Sequence, residues 1–270
     1  MEASSDKPSL KTDLGTRTEQ CERHGAYESN GMRLNFVPGR PGREIWTMCQ
    51  ACKADTEAAE KRAEAEARAQ RERERLNEML RASGIPERLK GCTFATYHAA
   101  TDGQKKALQV AMDYARDFPQ HQKTGESLIF AGKPGTGKGH LAAAVMHHMM
   151  PESLPVYTTC LDMIRSIRDT WRRDSKYSET QVLQEYEDAA LLVLDEIGVQ
   201  YGTEGEQTVI FDVLDRRYRQ MRATIFITNQ DRAGFTQFIG ERSFDRLKQT
   251  AKWVSFDWVS YRPTARKEAA

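Results

Sequence analysis

The chain has 270 residues, with 40 basic against 39 acidic side chains and a formal charge of +1. That length accommodates one α/β domain of about 170 residues plus a smaller appendage, and the balanced charge confines any nucleic-acid surface to a local patch. Five cysteines exclude a fully paired disulfide scaffold, no apolar run approaches the ~18 residues of a membrane span, and no charged-then-apolar leader is visible, so a soluble protein of the reducing cytoplasm with no membrane partner is expected.

Residues 1–20 are polar and aperiodic, which predicts a disordered tail. Cys21-Glu22-Arg23-His24 and Cys49-Gln50-Ala51-Cys52 follow, a C-x₂-H and a C-x₂-C pair 24 residues apart. Each spacing lets two ligands from one turn meet a tetrahedral Zn²⁺, so Cys21, His24, Cys49 and Cys52 define an expected zinc-finger-like module over residues 21–52. The plainer reading is incidental cysteines beside a solvated histidine. From Lys53 to Arg81 the chain carries eight basic and eight acidic residues, and their spacings of three and four predict a charge-laced helical arm over residues 53–82. Ser83-Gly84-Ile85-Pro86 ends it. Cys92 and Cys160 read as small buried hydrophobes.

Ala107, Leu108, Ala111, Met112 and Ala115 recur at helical intervals within residues 103–118. Apolar runs then predict strands at Ser127–Ala131, Val156–Cys160, Ala189–Leu194, Thr224–Thr228 and Trp253–Asp257, with helical patterns between them. The alternation implies an α/β domain with a mostly parallel sheet covered by helices.

The first of these strands runs into Gly132-Lys133-Pro134-Gly135-Thr136-Gly137-Lys138-Gly139-His140. Strand, glycine-rich turn and helix start, in that order, are the setting of a phosphate loop. Its N–H groups and the helix amino end can curl around a β-phosphate, and Lys138 can reach the β- and γ-phosphates. The position after the lysine ordinarily carries a Ser or Thr that holds Mg²⁺, and here it is Gly139. Thr136 is the nearest substitute hydroxyl, and slow hydrolysis is expected.

The helix after the second strand offers Arg165, Arg168 and Arg172 on one stripe, able to follow a phosphate backbone, with Ile164, Ile167 and Trp171 on an adjacent apolar stripe. Trp171 either anchors in the core, which its stripe favours, or stacks on a base. Leu191-Leu192-Val193-Leu194-Asp195-Glu196 is an apolar strand ending in two acids about 55 residues after the phosphate loop. It sets Asp195 to hold Mg²⁺ and Glu196 to activate water. Asn229, closing the next strand, can bond the γ-phosphate or its water. Arg242 and Arg246 lie one helical turn apart, either in surface ion pairs or placed to stabilise phosphate charge in a neighbouring subunit.

Four blocks together resemble DnaC-type replicative helicase loaders, AAA+ ATPases of the initiator group: the phosphate loop with His140-Leu141-Ala142-Ala143-Ala144, Leu192 to Gln200, Gly240-Glu241-Arg242 with Asp245-Arg246, and Ser260-Tyr261-Arg262. The likeness covers about residues 83–263, leaving 264–270 as a tail. It implies an AAA+ P-loop core using ATP and Mg²⁺, with Lys138 as loop lysine, Asp195 as metal acid, Glu196 as base and Asn229 as first sensor. Arg246 is implied as arginine finger ahead of Arg242, and Arg262 as second sensor. It further implies self-association into a hexamer or spiral, single-stranded DNA along the Arg165 face, and a hexameric DnaB-type helicase as partner. An IstB-type transposition helper and a non-hydrolysing nucleotide-bound scaffold are the rival readings.

Overall fold

The computed structural model describes residues 11–36, 41–150, 152–198 and 203–262. Val199 and Gln200 of the acidic block, residues 1–10 and the 264–270 tail lie outside the described residues. The chain divides into two units, Met1–Arg73 and Glu74–Ala270.

In the first unit β1 (Lys11–Cys21) and β2 (Gly25–Leu34) form an antiparallel ribbon, and β3 (Arg43–Trp46) pairs with the other side of β2. Residues 11–20 are therefore a strand, which corrects the disordered tail expected there. Most β1 side chains are exposed, so no alternation of apolar and polar residues marks the strand; the backbone ladder and cross-strand pairs order it instead. Tyr27 donates its hydroxyl to Glu19 at 2.9 Å, and the Arg17 guanidinium lies 3.8 Å from the centre of the Trp46 ring. A single 33-residue helix, α1 (Gln50–Ala82), follows and buries no side chain. Exposed pairs such as Arg68–Glu72 at 3.3 Å contribute only a few tenths of a kcal/mol each, about 0.3–0.5. Its Ala, Glu, Arg and Lys content makes the helix.

In the second unit, α1 ends where Gly84 takes the left-handed conformation (φ 71°), and Ser83 offers its carbonyl to the Tyr157 N–H at 2.7 Å. There follow α2 (Asp102–Arg116), α3 (Phe118–Thr124), β4 (Ser127–Gly132), α4 (Lys138–Met149), β5 (Val156–Thr159), α5 (Cys160–Asp169) and α6 (Glu179–Asp188). The order closes with β6 (Leu191–Ile197), α7 (Glu204–Arg219), β7 (Ala223–Thr228), α8 (Arg232–Ile239), α9 (Glu241–Thr250) and β8 (Ala251–Phe256). All five expected strands pair in parallel as β5-β6-β7-β4-β8.

Alternation along each strand divides the core between two faces. Leu128, Phe130, Leu191, Val193, Ile225 and Ile227 pack with Leu141, Val145 and Met146 of α4 and Ala111 of α2. Ile129, Leu192, Leu194 and Phe226 pack with Met163, Ile164 and Ile167 of α5 and with α7 and α8. A sheet buried on both faces needs near-continuous apolar strands, and β4, β6 and β7 have them. Cys160 is fully buried, as its surroundings in sequence suggest. Among the described residues no helix is long and apolar enough to cross a membrane.

One buried cation holds the sheet's far end. Arg217, 1% exposed, donates to the carbonyls of Tyr186 at 2.5 Å, Glu187 at 3.2 Å and Ala189 at 3.1 Å, to Thr224 Oγ1 at 3.0 Å, and to the Ala223 carbonyl. It thereby ties the end of α6 to the start of β7. Burial lowers its pKa to about 9. Arg217→Met leaves several buried acceptors without donors, and its expected cost is about 3 kcal/mol or more. A fall in Tm of roughly 6–12 °C by calorimetry is anticipated, and an unchanged Tm contradicts the staple.

Candidate nucleotide and metal sites

The strand order sets the carboxyl ends of β4 and β6 on either side of β7. Loop 132–139, Asn229 and the Asp195-Glu196 pair therefore share one edge, where open α/β sheets bind ligands. Gly132 has φ 147°, and a Cβ there would stand 2.1 Å from the Phe256 carbonyl oxygen. At Gly135 (φ 78°) a Cβ would meet the Ser260 hydroxyl at 2.1 Å. The segment after β8 closes on the loop: Tyr261 N–H donates to the Gly135 carbonyl and Trp258 Nε1 to the Thr136 carbonyl, both at 2.9 Å. Arg262 is carried into the same cleft.

Lys138 begins α4, and its ammonium is 2.6 Å from the Gly132 carbonyl, 2.8 Å from that of Lys133 and 2.8 Å from Asn229 Oδ1. Burial lowers its pKa to about 8, with the Asp195 charge opposing and that of Arg262 assisting. These neutral acceptors hold the cation between the loop and the end of β7, in the lining of a cleft of about 310 Å³.

Across the cleft, β6 leaves its register with β7 between Leu194 and Ile197. Glu196 takes φ 59°, a left-handed conformation costing roughly 1–3 kcal/mol for a non-glycine residue and recurrent at functional sites. Its N–H donates to Asp195 Oδ1 at 2.7 Å, while the Tyr157 phenol donates to Asp195 Oδ2. Tyr157, on β5, is 5% exposed, and burial followed by the Asp195 charge pushes its pKa well above the ordinary phenol value.

Pro134, Gly135, Gly137, Lys138, Gly139, His140, Asp195, Glu196, Asn229 and Arg262 line one cleft. Thr136 departs from expectation: the residue is 2% exposed, and its hydroxyl donates to the Lys133 carbonyl at 2.8 Å, within the loop. His140 Nε2 lies 2.9 Å from the Thr93 carbonyl, tying α4 to the segment that precedes α2, and burial lowers its pKa. Arg88, Leu89 and Cys92 also line the cleft. Sequence reading missed them because they sit far from the loop in the chain. Cys92 is thus no core hydrophobe; burial still raises its pKa.

The two arginines of α9 differ. Arg246 forms an ion pair with Asp215 of α7 and lies 5.4 and 5.3 Å from the ring centres of Phe211 and Tyr218, whereas Arg242 is exposed. On the other element, α5 ends at Asp169, so Arg172 falls in the following turn and pairs with Asp174 at 3.3 Å. Arg165, 3.7 Å from Asp162, is exposed and Arg168 half-buried. Trp171 is 59% exposed, which overturns its core-anchor reading. The apolar stripe stops with the helix, one turn short of it.

In the first unit Cys21, His24, Cys49 and Cys52 bring their ligand atoms within 4.8 Å of one another. Cys21 Sγ is 3.4 Å from Cys52 Sγ, and His24 Nδ1 is 3.3 Å from Cys52 Sγ and 3.8 Å from both other sulfurs. Ligands at about 2.1–2.3 Å from a tetrahedral Zn²⁺ stand roughly 3.5–3.8 Å apart, so the set fits that ion. Backbone N–H groups of Arg23 and His24 lower the Cys21 pKa to about 6, and donation to Cys21 raises Cys52 to about 11. Asp55 Oδ2, 3.4 Å from His24 Nε2, faces the nitrogen away from the sulfurs and so leaves Nδ1 free to ligate.

The family profile described as IstB-like ATP binding protein matches residues 53–269. A relative from Escherichia coli strain K12, named "Replicative helicase loader DnaC", is 37% identical over 190 residues, 70% of this chain and 76% of its own. The chain belongs to the IstB-like, DnaC-type helicase-loader family. A DnaC-type relative from Buchnera aphidicola of Baizongia pistaciae is 34% identical over 190 residues, again 70% and 76% of the two chains. Among solved structures, the DnaC helicase loader superposes with TM-score 0.57 at 22% identity, over 63% of this chain and 99% of that one. AMPPCP-bound DnaA from Aquifex aeolicus gives 0.54 at 17%, over 68% and 55%. Both carry the AAA+ fold. The IstB-like match begins after Cys52, so all four residues of the Cys/His cluster precede it.

Two outcomes follow from these sites. If Lys138 must be charged to hold a phosphate, affinity for a fluorescent ATP analogue stays level below pH 8. It then falls by up to about tenfold per pH unit above it, as the ammonium is lost; a flat profile to pH 9.5 contradicts the lysine's role. Protein purified without chelator carries about one zinc per chain by elemental analysis. Cys49→Ser or Cys52→Ser removes most of it, and metal-free wild-type protein contradicts the ligand set.

Proposed function

We propose that this protein loads a hexameric DnaB-type replicative helicase onto single-stranded DNA, in a cycle controlled by ATP. The observation that supports it most is the convergence of the loop lysine, the strand-end acids, Asn229 and Arg262 on one cleft in a chain of the DnaC-type family. Backbone N–H groups and Lys138 would bind the triphosphate, with Asn229 freed to meet the γ-phosphate once Lys138 moves to it. Asp195 would hold Mg²⁺, which neutralises phosphate charge when bound, and Glu196 would orient and deprotonate water. Gly139 supplies no hydroxyl to the metal, and hydrolysis is slow in this reading unless a group from another element takes that place.

Self-association through the AAA+ domain would bring an arginine of α9 to a neighbour's γ-phosphate. Arg246 remains the implied finger and would first leave Asp215; Arg242 is exposed already. Single-stranded DNA would follow Arg165 and Arg168 and the exposed turn beyond them, where Trp171 (59% exposed) and Tyr177 (61%) flank Arg172, Arg173 and Lys176. Basic groups interleaved with exposed aromatic rings suit a backbone-tracking, base-stacking surface. Zn²⁺ would be a structural staple of the amino-terminal module, which with the helical arm over residues 53–82 would grip the helicase.

The family profile's description favours a second reading, a transposition helper of the IstB type. Pull-down of a DnaB-type helicase with and without ATP separates them. A stable complex that Glu196→Gln traps supports loading, and no complex under either condition retires it.

A further inference from the structure

Gly139 leaves the loop without the hydroxyl that a phosphate loop ordinarily turns toward Mg²⁺. Thr136 does not replace it, since its hydroxyl is spent inside the loop. Another hydroxyl reaches the place from a different strand. The Tyr157 phenol oxygen lies 3.7 Å from where a Cβ would stand on Gly139, with Leu89 Cδ1 at 3.4 Å from the same point. It donates to Asp195 Oδ2, while the Glu196 N–H takes Oδ1 at 2.7 Å, so both oxygens of the carboxylate are oriented.

The tyrosine is itself fixed. Its ring belongs to the core between the sheet and α4, and its backbone N–H is bonded to Ser83 at 2.7 Å. The phenol therefore keeps its distance from Gly139 without an ordering cost when ligand arrives. We propose that Tyr157 is the Mg²⁺-positioning residue of this site, taking from β5 the role of the hydroxyl absent at Gly139. This rests on the nucleotide-binding reading above.

Outer groups of this kind aim a ligand and tune its basicity, and their removal typically weakens metal binding about 10–100-fold. The donated bond holds the Asp195 carboxylate at one angle, and the phenol oxygen retains a lone pair for a water of the metal. Glycine and tyrosine are complementary at this spot. A threonine at position 139 would set its own hydroxyl against the phenol, so Gly139→Thr brings no gain while Tyr157 is present.

The test is a titration of Mg²⁺ against binding of a fluorescent ATP analogue, with EDTA as the metal-free reference, in wild type, Tyr157→Phe, Gly139→Thr and the double variant. Tyr157→Phe should match wild type in EDTA and need about tenfold or more Mg²⁺ to reach half-maximal effect. Adding Gly139→Thr to it should restore the wild-type midpoint. The two Phe-containing proteins share the same lost hydroxyl in the core, so their ratio separates metal positioning from packing even if Tm falls. A Tyr157→Phe midpoint within twofold of wild type, or a double variant no better than Tyr157→Phe alone, overturns the proposal. A wild-type protein that binds no analogue with or without Mg²⁺ removes the nucleotide reading itself.

Discussion

The cleft depends on how one ammonium is held. Lys138 reaches back over the loop it follows and meets two loop carbonyls and the side chain of Asn229, each at 2.6–2.8 Å. A cation this buried needs acceptors, because an unpaired charge away from water is expensive. The loop therefore curls toward it and β7 keeps a polar residue at its end. A triphosphate would offer the same cation more negative oxygens than these neutral acceptors do. Desolvation, which lowers the lysine's pKa to about 8, also strengthens any phosphate contact made there.

Everything around that cation serves to bring distant parts of the chain to one sheet edge. The β5-β6-β7-β4-β8 order interposes β7 between loop and acids, which gives Asn229 its reach to Lys138. The break in the β6 ladder turns Glu196 into a left-handed conformation and frees its N–H for Asp195. The segment after β8 brings Arg262, and the turn before α2 brings Arg88 and Cys92. Strain at Glu196 persists because β6 is buried on both faces and cannot slide to relieve it.

The two units show different stabilising physics. The nucleotide unit is a doubly covered sheet with apolar strands and one buried guanidinium at its far end. The amino-terminal ribbon has few apolar contacts, and its four convergent Cys and His side chains would, with a bound metal, take the place of a core, as small folds require when they cannot bury enough surface. Long solvated α1 follows from helix propensity and charge spacing, with no packing along most of its length.

What could be read along the chain was what depends on neighbours in sequence. The strand, glycine-rich turn and helix of the phosphate loop, the acid pair after an apolar run, the x₂ spacings of Cys21/His24 and Cys49/Cys52, and the charged helix all are local patterns with one physical outcome. The central strands β4, β6 and β7 were legible because burial on both faces demands unbroken apolar runs, and the edge strands β5 and β8 from shorter apolar stretches in the alternating pattern. Strand β1 was not, because a ribbon exposed on both sides carries no apolar period and is ordered by a partner strand. Trp171 was misjudged because periodicity does not say where a helix stops. Tertiary structure alone decided that Arg246 pairs with Asp215, that Arg217 staples α6 to β7, and that Tyr157 meets Asp195 beside Gly139. Each of these is a contact between residues remote in the chain, set by the order in which parallel strands assemble, and no local preference encodes that order.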